Sequence, residues 1–136
     1  MPDYIGMGDS PGLHPYIHSE SEATASLDMV RAAREYLTNS TNYIDNNEVF
    51  LTGYSQGGHA CMATHKYIQD NNLSAEFNVL GSAPCSGPYD LSGIMADTII
   101  SPSPYSNPGY IVYLLASYQL AYGNIFNSWS EILYSP

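Results

Sequence analysis

Basic residues are rare in this sequence. Its 136 residues include three Lys and Arg against thirteen Asp and Glu, so the formal net charge at pH 7 is −10. A surface with this charge repels the phosphates of nucleic acids and of anionic lipid headgroups. We therefore expect no nucleic-acid partner. The charge suits a neutral or cationic small substrate, or it serves solubility alone.

Long apolar runs and cysteines are also scarce. The most apolar stretch, at 110–122, is too short to span a bilayer and contains Ser117 and Gln119, so we expect no stable membrane insertion. The two cysteines, Cys61 and Cys85, allow one disulfide, and two buried free thiols are an equally good alternative. No secretory signal and no internal repeat is visible.

Helical and strand-like segments alternate along the first part of the chain. Ser19 and Glu22 predict a capping box at the start of a first helix, which apolar residues at helical spacing continue to residue 37. Short apolar runs predict strands at 48–53 and 77–82, with a helix between them at 59–69. Tyr4 and Ile5 are compatible with the end of an earlier strand. This alternation is typical of a parallel sheet, so we expect an α/β fold.

The loops that follow the predicted strands contain the candidate binding residues. Ligands of open parallel sheets bind at the carboxyl ends of the strands, so we expect the loops at 6–18 and 83–89 to meet Ser55 at one rim. We take Tyr54, His18 and Tyr89, which lie at this rim, as candidate substrate-binding residues.

The most informative motif is Gly-Tyr-Ser-Gln-Gly at 53–57, placed between a predicted strand and a predicted helix. Gly-x-Ser-x-Gly in this setting is the nucleophile-elbow pattern. We expect Gly53 and Gly57 to leave room for the turn, because a Cβ at either position would collide with the neighbouring backbone. We interpret Ser55 as a nucleophile and the backbone N–H of Gln56 as an oxyanion donor, supported by the positive end of the following helix.

Two other interpretations of this region are weaker. A glycine-rich turn at a helix N-terminus is able to bind phosphate, but the sequence has Gly57, Gly58 and His59 where a P-loop has its lysine. His59 and His65 are six residues apart without a flanking carboxylate, so we expect no metal site and no cofactor.

A partner for Ser55 is harder to find. A serine hydroxyl needs an adjacent base, and in elbow-type hydrolases the chain order is serine, carboxylate, histidine. No histidine follows His65, and both His14 and His18 precede the serine. We therefore expect the base and its carboxylate to lie outside these 136 residues, which would make the chain by itself a poor catalyst.

The strand pattern disappears after residue 88. Residues 90–100 and 109–122 are predicted to be helical, and the second segment is apolar on most sides. We expect a partial core at 1–88 and a helical cap or lid at 89–136, the alternative being ordinary core helices. Asp90 and Asp97 are weak candidates for the triad acid because they lie in this predicted cap.

At this point the sequence resembles the α/β-hydrolase superfamily, and within it the secretory lipase and esterase group. The resemblance rests on Pro-Asp-Tyr-Ile-Gly-Met-Gly at 2–8, Arg-Ala-Ala-Arg at 31–34, the motif at 53–60 and Gly-Ser-Ala-Pro at 81–84. It implies ester hydrolysis through an acyl-enzyme on Ser55, a helical cap, and a secreted or cell-envelope protein. Relative to the family, the chain looks like an interior portion that lacks the opening and closing strands.

Three functions follow from these observations. The leading one is a serine carboxylic-ester hydrolase acting on a small-molecule or lipid ester. The second is a peptidase or acyltransferase that uses the same serine. The third is a non-catalytic binding or interaction module, because an incomplete sheet exposes strand edges that favour self-association or a complementing chain.

Overall fold

The computed structural model describes residues 2–133, so Met1 and the last three residues of the predicted cap lie outside the described residues. The elements alternate as the sequence predicts, which confirms the α/β class. In chain order they are helix α1 (Ser19–Ser40), strand β1 (Glu48–Tyr54), helix α2 (Gln56–Asp70), strand β2 (Asn78–Cys85), helix α3 (Ile94–Ile99), helix α4 (Pro108–Tyr122) and a 3-10 helix (Trp129–Glu131).

The two strands pair in parallel, with one irregularity near the start of the sheet. Val49 pairs with Val79, but Phe50 pairs with Gly81, so Leu80 is an extra residue in β2. The ring of Phe50 covers Gly81, since a Cβ at position 81 would lie 2.7 Å from Phe50 Cε2. Phe50 and Leu80 remain 66% and 62% exposed, which leaves one face of the sheet apolar and open.

The core lies between the other face of the sheet and the first two helices. Its buried centre is formed by Leu27 of α1, Ile68 of α2 and Phe77 in the segment before β2. Val49 and Leu51 of β1 pack against this centre. The alternation of these residues with exposed ones along β1 is the period of two that a strand with one covered face shows.

Two arginines of α1 hold the connections that lead into both strands. Arg31 donates two hydrogen bonds to the Glu76 carboxylate, at 2.6 and 2.8 Å. Arg34 donates to the Glu76 carbonyl at 2.8 Å and forms an ion pair with Asp45 at 2.5 Å. Both guanidinium groups lie over the ring of Phe77, 5.2 and 5.1 Å from its centroid. Two of the three basic side chains therefore fix the sheet to α1.

The start of α1 differs from the predicted capping box. His18 is the N-cap, and its Nδ1 accepts a hydrogen bond from the Ser21 N–H at 3.4 Å. Ser19 lies inside the helix, and the Glu22 side chain turns inward to partners on α2. The prediction was wrong because long-range partners for a buried carboxylate outweigh a local bond at the helix terminus.

The N-terminal segment is also not a strand. Tyr4 and Ile5 lead into a turn in which the Met7 N–H donates to the Tyr4 carbonyl at 2.9 Å. Gly6 follows with a φ of 77°, and a Cβ there would collide with the backbone of His14. The segment therefore packs as a loop against residues 13–14 rather than as an additional strand.

The two cysteines are not bonded to each other. Cys61 is buried and Cys85 is exposed, and both are free thiols. This excludes the disulfide in this structure and also the pair of buried thiols. Burial raises the pKa of the Cys61 thiol, which lowers its reactivity.

Helix α4 lies against the loop that precedes α1. Ser117 Oγ donates to the His14 carbonyl, and the Tyr118 hydroxyl donates to the Ile17 carbonyl, each at 3.1 Å. Tyr113 stacks on Tyr16 with ring centroids 4.9 Å apart. Burial raises the pKa of the Tyr118 phenol, so the group keeps the proton that it donates. Among residues 2–133, no helix is both long and apolar enough to cross a bilayer.

The ion pair between Arg31 and Glu76 makes stability depend on pH. Arg31 lowers the pKa of Glu76 below its usual value of 4.5, so the stabilisation is complete above that pH and is lost as the pH falls through the lowered value. The side chains are 43% and 39% exposed, and solvent screening limits the effect to less than about 1 kcal/mol. We expect Glu76→Gln to lower the free energy of unfolding at pH 7 and to have a smaller effect at pH 3, measured by urea denaturation.

The matched control for this change is Glu35→Gln, which removes an exposed carboxylate from the same helix that carries Arg31. A Glu76→Gln effect of the same size at both pH values would contradict the prediction.

Candidate active site

The connection between β1 and α2 is a single residue, Ser55. Its φ of 55° and ψ of −121° lie in a region that is strained for a residue with a side chain. The Ser55 N–H donates to the Cys85 carbonyl at 2.9 Å, and the Ser55 carbonyl accepts from the Gly58 N–H at 2.9 Å. Bonds on both sides, to the end of β2 and to the first turn of α2, therefore hold the strained conformation in place.

The glycines around this turn do not all have the role that the motif suggests. A Cβ at Gly53 would collide with the Gly57 carbonyl, as expected. A Cβ at Gly57 would meet nothing within 4 Å, so the expectation for Gly57 is wrong. The second close approach is instead at Gly58, where a Cβ would collide with the Cys85 carbonyl. The second position that excludes a side chain is therefore Gly58, which faces the end of β2, and not Gly57 of the motif.

Two polar groups at the turn have no hydrogen-bond partner in the described part of the chain. Ser55 is exposed, and among residues 2–133 its hydroxyl makes no hydrogen bond. In the same part of the chain, no group accepts a hydrogen bond from the Gln56 N–H, the first N–H of α2. The end of the helix adds a positive partial charge. A hydroxyl and an N–H on adjacent residues are thus available to one ligand.

The four histidines of the chain are each engaged elsewhere. His14 lies between the Ile5 carbonyl, 2.9 Å from Nδ1, and the Gln56 side chain, 2.5 Å from Nε2. His18 caps α1, and its ring meets Tyr118 and Tyr122 edge-on. Two further hydrogen bonds join His59 to Glu22 at 2.6 Å and His65 to Ser82 at 3.0 Å. None of the four rings bonds to Ser55.

The structure brings two of the three candidate binding residues to the turn. Tyr54 directly precedes Ser55 and is 74% exposed. The ring of Tyr89 lies against Gly87, where a Cβ would be 2.5 Å from Tyr89 Cε1 and 2.6 Å from the His59 nitrogen. Tyr89 therefore lies beside the first turn of α2. The Nδ1 of His18 is committed to the cap of α1, which leaves less of this ring for a ligand.

The two candidate acids are both in or next to α3. The Asp90 carboxylate accepts from the N–H groups of Gly93 at 2.9 Å and Ile94 at 3.1 Å, where this helix begins. Asp97 is an exposed residue of α3. Neither is hydrogen-bonded to a histidine. Among the described residues, no group of three or more His, Cys, Asp and Glu side chains could hold a metal ion.

A buried carboxylate beneath the turn was not anticipated as part of the site. Glu22 has no exposed surface, and it bonds to His59 and to the Gln56 side chain. A glutamate in the first turn of a helix suggests a capping role, and no local pattern indicates partners 34 and 37 residues away. Only the combination of Glu22 with the polar Gln56 and His59 in the motif could have suggested a shared network.

Comparison with known families and structures identifies the relatives of this arrangement. The family model for secretory lipases matches residues 1–127. The chain belongs to the secretory lipase family. Among curated proteins no relative matches. Family membership agrees with the resemblance that the motif at 53–60 indicates.

Solved structures similar to this secretory lipase chain are an esterase and a hydrolase. The rice cell wall degrading esterase LipA from Xanthomonas oryzae is 39% identical with a TM-score of 0.79, over 95% of this chain and 34% of that one. A ligand-bound form of this esterase is 40% identical with a TM-score of 0.75, over 91% of this chain and 33% of that one. A putative hydrolase from Legionella pneumophila subsp. pneumophila is 33% identical with a TM-score of 0.76, over 91% of this chain and 33% of that one. The chain has part of an α/β-hydrolase fold and spans about a third of these structures.

The two adjacent glycines of α2 offer a direct test of the geometry of the turn. We expect Gly58→Ala to lower the free energy of unfolding by about 1–3 kcal/mol, because the added methyl group overlaps the Cys85 carbonyl. Gly57→Ala should be neutral or stabilising by about 0.5–1 kcal/mol, since alanine favours the helix and meets open space. Urea denaturation of both variants measures this difference. An equal loss in both would contradict it.

Proposed function

We propose that the chain supplies the nucleophile and one oxyanion donor of a serine carboxylic-ester hydrolase. The observation that carries the proposal is the strained, exposed Ser55 between β1 and α2, with the unpartnered N–H of Gln56 beside it. A strained serine between a strand and a helix supports the interpretation of this turn as a nucleophile elbow. Membership of the secretory lipase family and the likeness to an esterase favour an ester as the substrate.

In the proposed reaction, Ser55 Oγ attacks the carbonyl carbon of the ester while its proton passes to a general base. The carbonyl oxygen becomes an oxyanion that accepts a hydrogen bond from the Gln56 N–H. The tetrahedral intermediate expels the alcohol, which takes the proton from the base, and leaves an acyl group on Ser55. Water then attacks this acyl group, the carboxylic acid leaves, and the serine hydroxyl is restored.

We propose that the base, its carboxylate and the second oxyanion donor come from residues outside this chain. All four histidines have partners away from Ser55, which supports this assignment. The reaction needs all of these groups, so we expect the isolated chain to form an adduct with a reactive electrophile but to turn over esters very slowly.

We further propose that residues 1–88 form a partial core and that 89–136 form a cap over the rim. The contacts of Ser117 and Tyr118 with the loop before α1 support a segment that lies across the N-terminal part. In this arrangement Tyr54 and Tyr89 would contact the acyl or alcohol group of the substrate. His18 would contribute only the part of its ring that the cap of α1 leaves free.

A binding or interaction role is the second candidate, and the sheet gives a specific reason for it. Among residues 2–133, β1 pairs with β2 and with no strand on its other side. A largely apolar cavity of about 720 Å³ lies beside β1. Its walls come from α1, β1, α2 and residues 2–7. Unpaired strand edges and open apolar surface favour association with another chain. A second copy or a complementing chain would fit this edge. With the same serine chemistry, a peptidase would differ in the leaving group, an amine instead of an alcohol, and an acyltransferase would differ in the acceptor of the acyl group.

The nucleophile is tested with a fluorophosphonate and a p-nitrophenyl ester. We expect the phosphonate to modify Ser55, located by mass spectrometry of the peptides, and Ser55→Ala to abolish the adduct. Ser74→Ala, which changes an exposed serine in the turn after α2, should leave it unchanged. An adduct with turnover indicates a complete hydrolase, and an adduct without turnover indicates the nucleophile half. Neither adduct nor turnover in a folded sample would sink the proposed nucleophile.

The interaction role predicts that the open face of the sheet drives association. Phe50→Lys places a charge on this face in β1, beside the cavity, and should lower the association constant about tenfold or more, measured by sedimentation velocity. Ile44→Lys is the matched control, because Ile44 is 89% exposed in the loop before β1. A native chain that is monomeric at all concentrations, or equal effects of the two changes, would count against this role.

A further inference from the structure

The buried carboxylate of Glu22 joins α1 to the first turn of α2. Its two oxygens accept separate hydrogen bonds, Oε2 from His59 Nδ1 at 2.6 Å and Oε1 from Gln56 Nε2 at 2.9 Å. Glu22 has 0% exposure, so neither bond is exchanged for one to bulk water. Both partners stand within four residues of Ser55.

The Gln56 side chain is held at a second point by His14. The Ile5 carbonyl, 2.9 Å from His14 Nδ1, is only an acceptor, so Nδ1 carries the hydrogen and Nε2 is left as an acceptor. Gln56 Nε2 lies 2.5 Å from that Nε2. One hydrogen of the amide therefore goes to Glu22 and the other to His14. The opposite amide orientation would place the Gln56 oxygen against a carboxylate and an imidazole acceptor, so the network has one arrangement.

Gln56 thus combines a side chain held by its amide nitrogen at two points with a backbone N–H that has no acceptor among residues 2–133. The hydrogen bonds of the Gln56 side chain restrain the whole residue, including its backbone N–H. We propose that Glu22 and His14 are positioning residues, which hold the Gln56 N–H at the point where it meets the oxyanion. The inference rests on the proposed function of Ser55. Oxyanion donors act because they are oriented before the reaction, and displacement by about 1 Å costs on the order of a hundredfold in rate.

A purely packing role does not account for the carboxylate. Helix α2 is already buried through Ala60, Cys61 and Ile68, which lie further along the helix. A buried ionised group is costly unless it is paired, and an apolar side chain of similar size often stabilises a core equally well. What Glu22 adds over an apolar residue is a pair of directed bonds to the first turn of α2.

The network also reaches the proposed cap. The carbonyl of His14 accepts from Ser117 Oγ of α4, and the ring of Tyr113 meets the His14 ring edge-on, with centroids 6.3 Å apart. Ser117 has 0% exposure. His14 is therefore held from the side of α4 as well as from the side of Gln56.

The test compares Glu22→Gln with Glu20→Gln. Both remove one negative charge from the first turn of α1, but Glu20 is exposed and its carboxylate has no role in the network. In the native chain we expect a backbone ¹⁵N order parameter of about 0.85 at Gln56. In Glu22→Gln this order parameter should fall below about 0.6, and in Glu20→Gln it should stay at the native value. The order parameter at Ile68 should stay the same in all three and report an intact fold.

A second arm measures the fluorophosphonate reaction at saturating concentrations. Glu22→Gln should lower the maximal rate of Ser55 modification about 10–100-fold and leave the half-saturating concentration within about twofold. Gln56→Leu should show the same loss, and because Glu22 keeps its bond to His59 there, this variant serves if Glu22→Gln does not fold. The double variant should lose no more than either single one, since both changes break one network.

The outcomes separate the two proposals. A native chain in which Ser55 is not modified contradicts the proposed nucleophile, while the order parameters still decide whether Glu22 positions Gln56. The positioning role would be overturned if the backbone order parameter at position 56 is unchanged in both Glu22→Gln and Gln56→Leu. Equal effects of Glu22→Gln and Glu20→Gln would also overturn it. Additive losses in the double variant would also contradict it.

Discussion

The carbonyl oxygen of Cys85 is the contact on which the arrangement at Ser55 depends. It accepts the Ser55 N–H, and it lies so close to the Cα of Gly58 that no side chain fits between them. One oxygen thus joins the end of β2 to the turn and to the first turn of α2. The strained backbone of Ser55 persists because these neighbours leave it no relaxed alternative. The exposed hydroxyl and the free N–H of Gln56 are consequences of that constraint.

The local order of the chain could be predicted from the sequence, and the cross-connections could not. Apolar spacing indicated α1, and the pattern around Ser55 indicated the strand, the turn and the helix. The contacts that were missed join residues far apart in the chain, such as Glu22 with His59 and Gly58 with Cys85. A single sequence carries no signal for which distant group will meet a buried carboxylate. For this reason the sequence predicts a cap at Ser19 instead of His18, and a close backbone approach at Gly57 instead of Gly58.

The basic and acidic side chains differ in how many of them form ion pairs. The three basic side chains, Arg31, Arg34 and Lys66, all form ion pairs with carboxylates. Most of the thirteen acidic residues therefore lack a cationic partner. Arg31 and Arg34 stabilise the connections into the sheet through their ion pairs, and the positive partial charge next to Ser55 is that of the N-terminus of α2. A net negative chain can still stabilise an oxyanion through such local dipoles.

The extra residue in β2 determines which carbonyl faces the turn. Val49 pairs with Val79, and an uninterrupted register would place Tyr54 opposite Pro84. The bulge at Leu80 advances β2 by one residue, so Tyr54 instead lies opposite Cys85. An irregularity at one end of the sheet thus selects the atom that holds the serine at the other end. Insertions and deletions in β2 are therefore coupled to the geometry of Ser55, even though Leu80 lies about five residue steps, some 16 Å, from the turn.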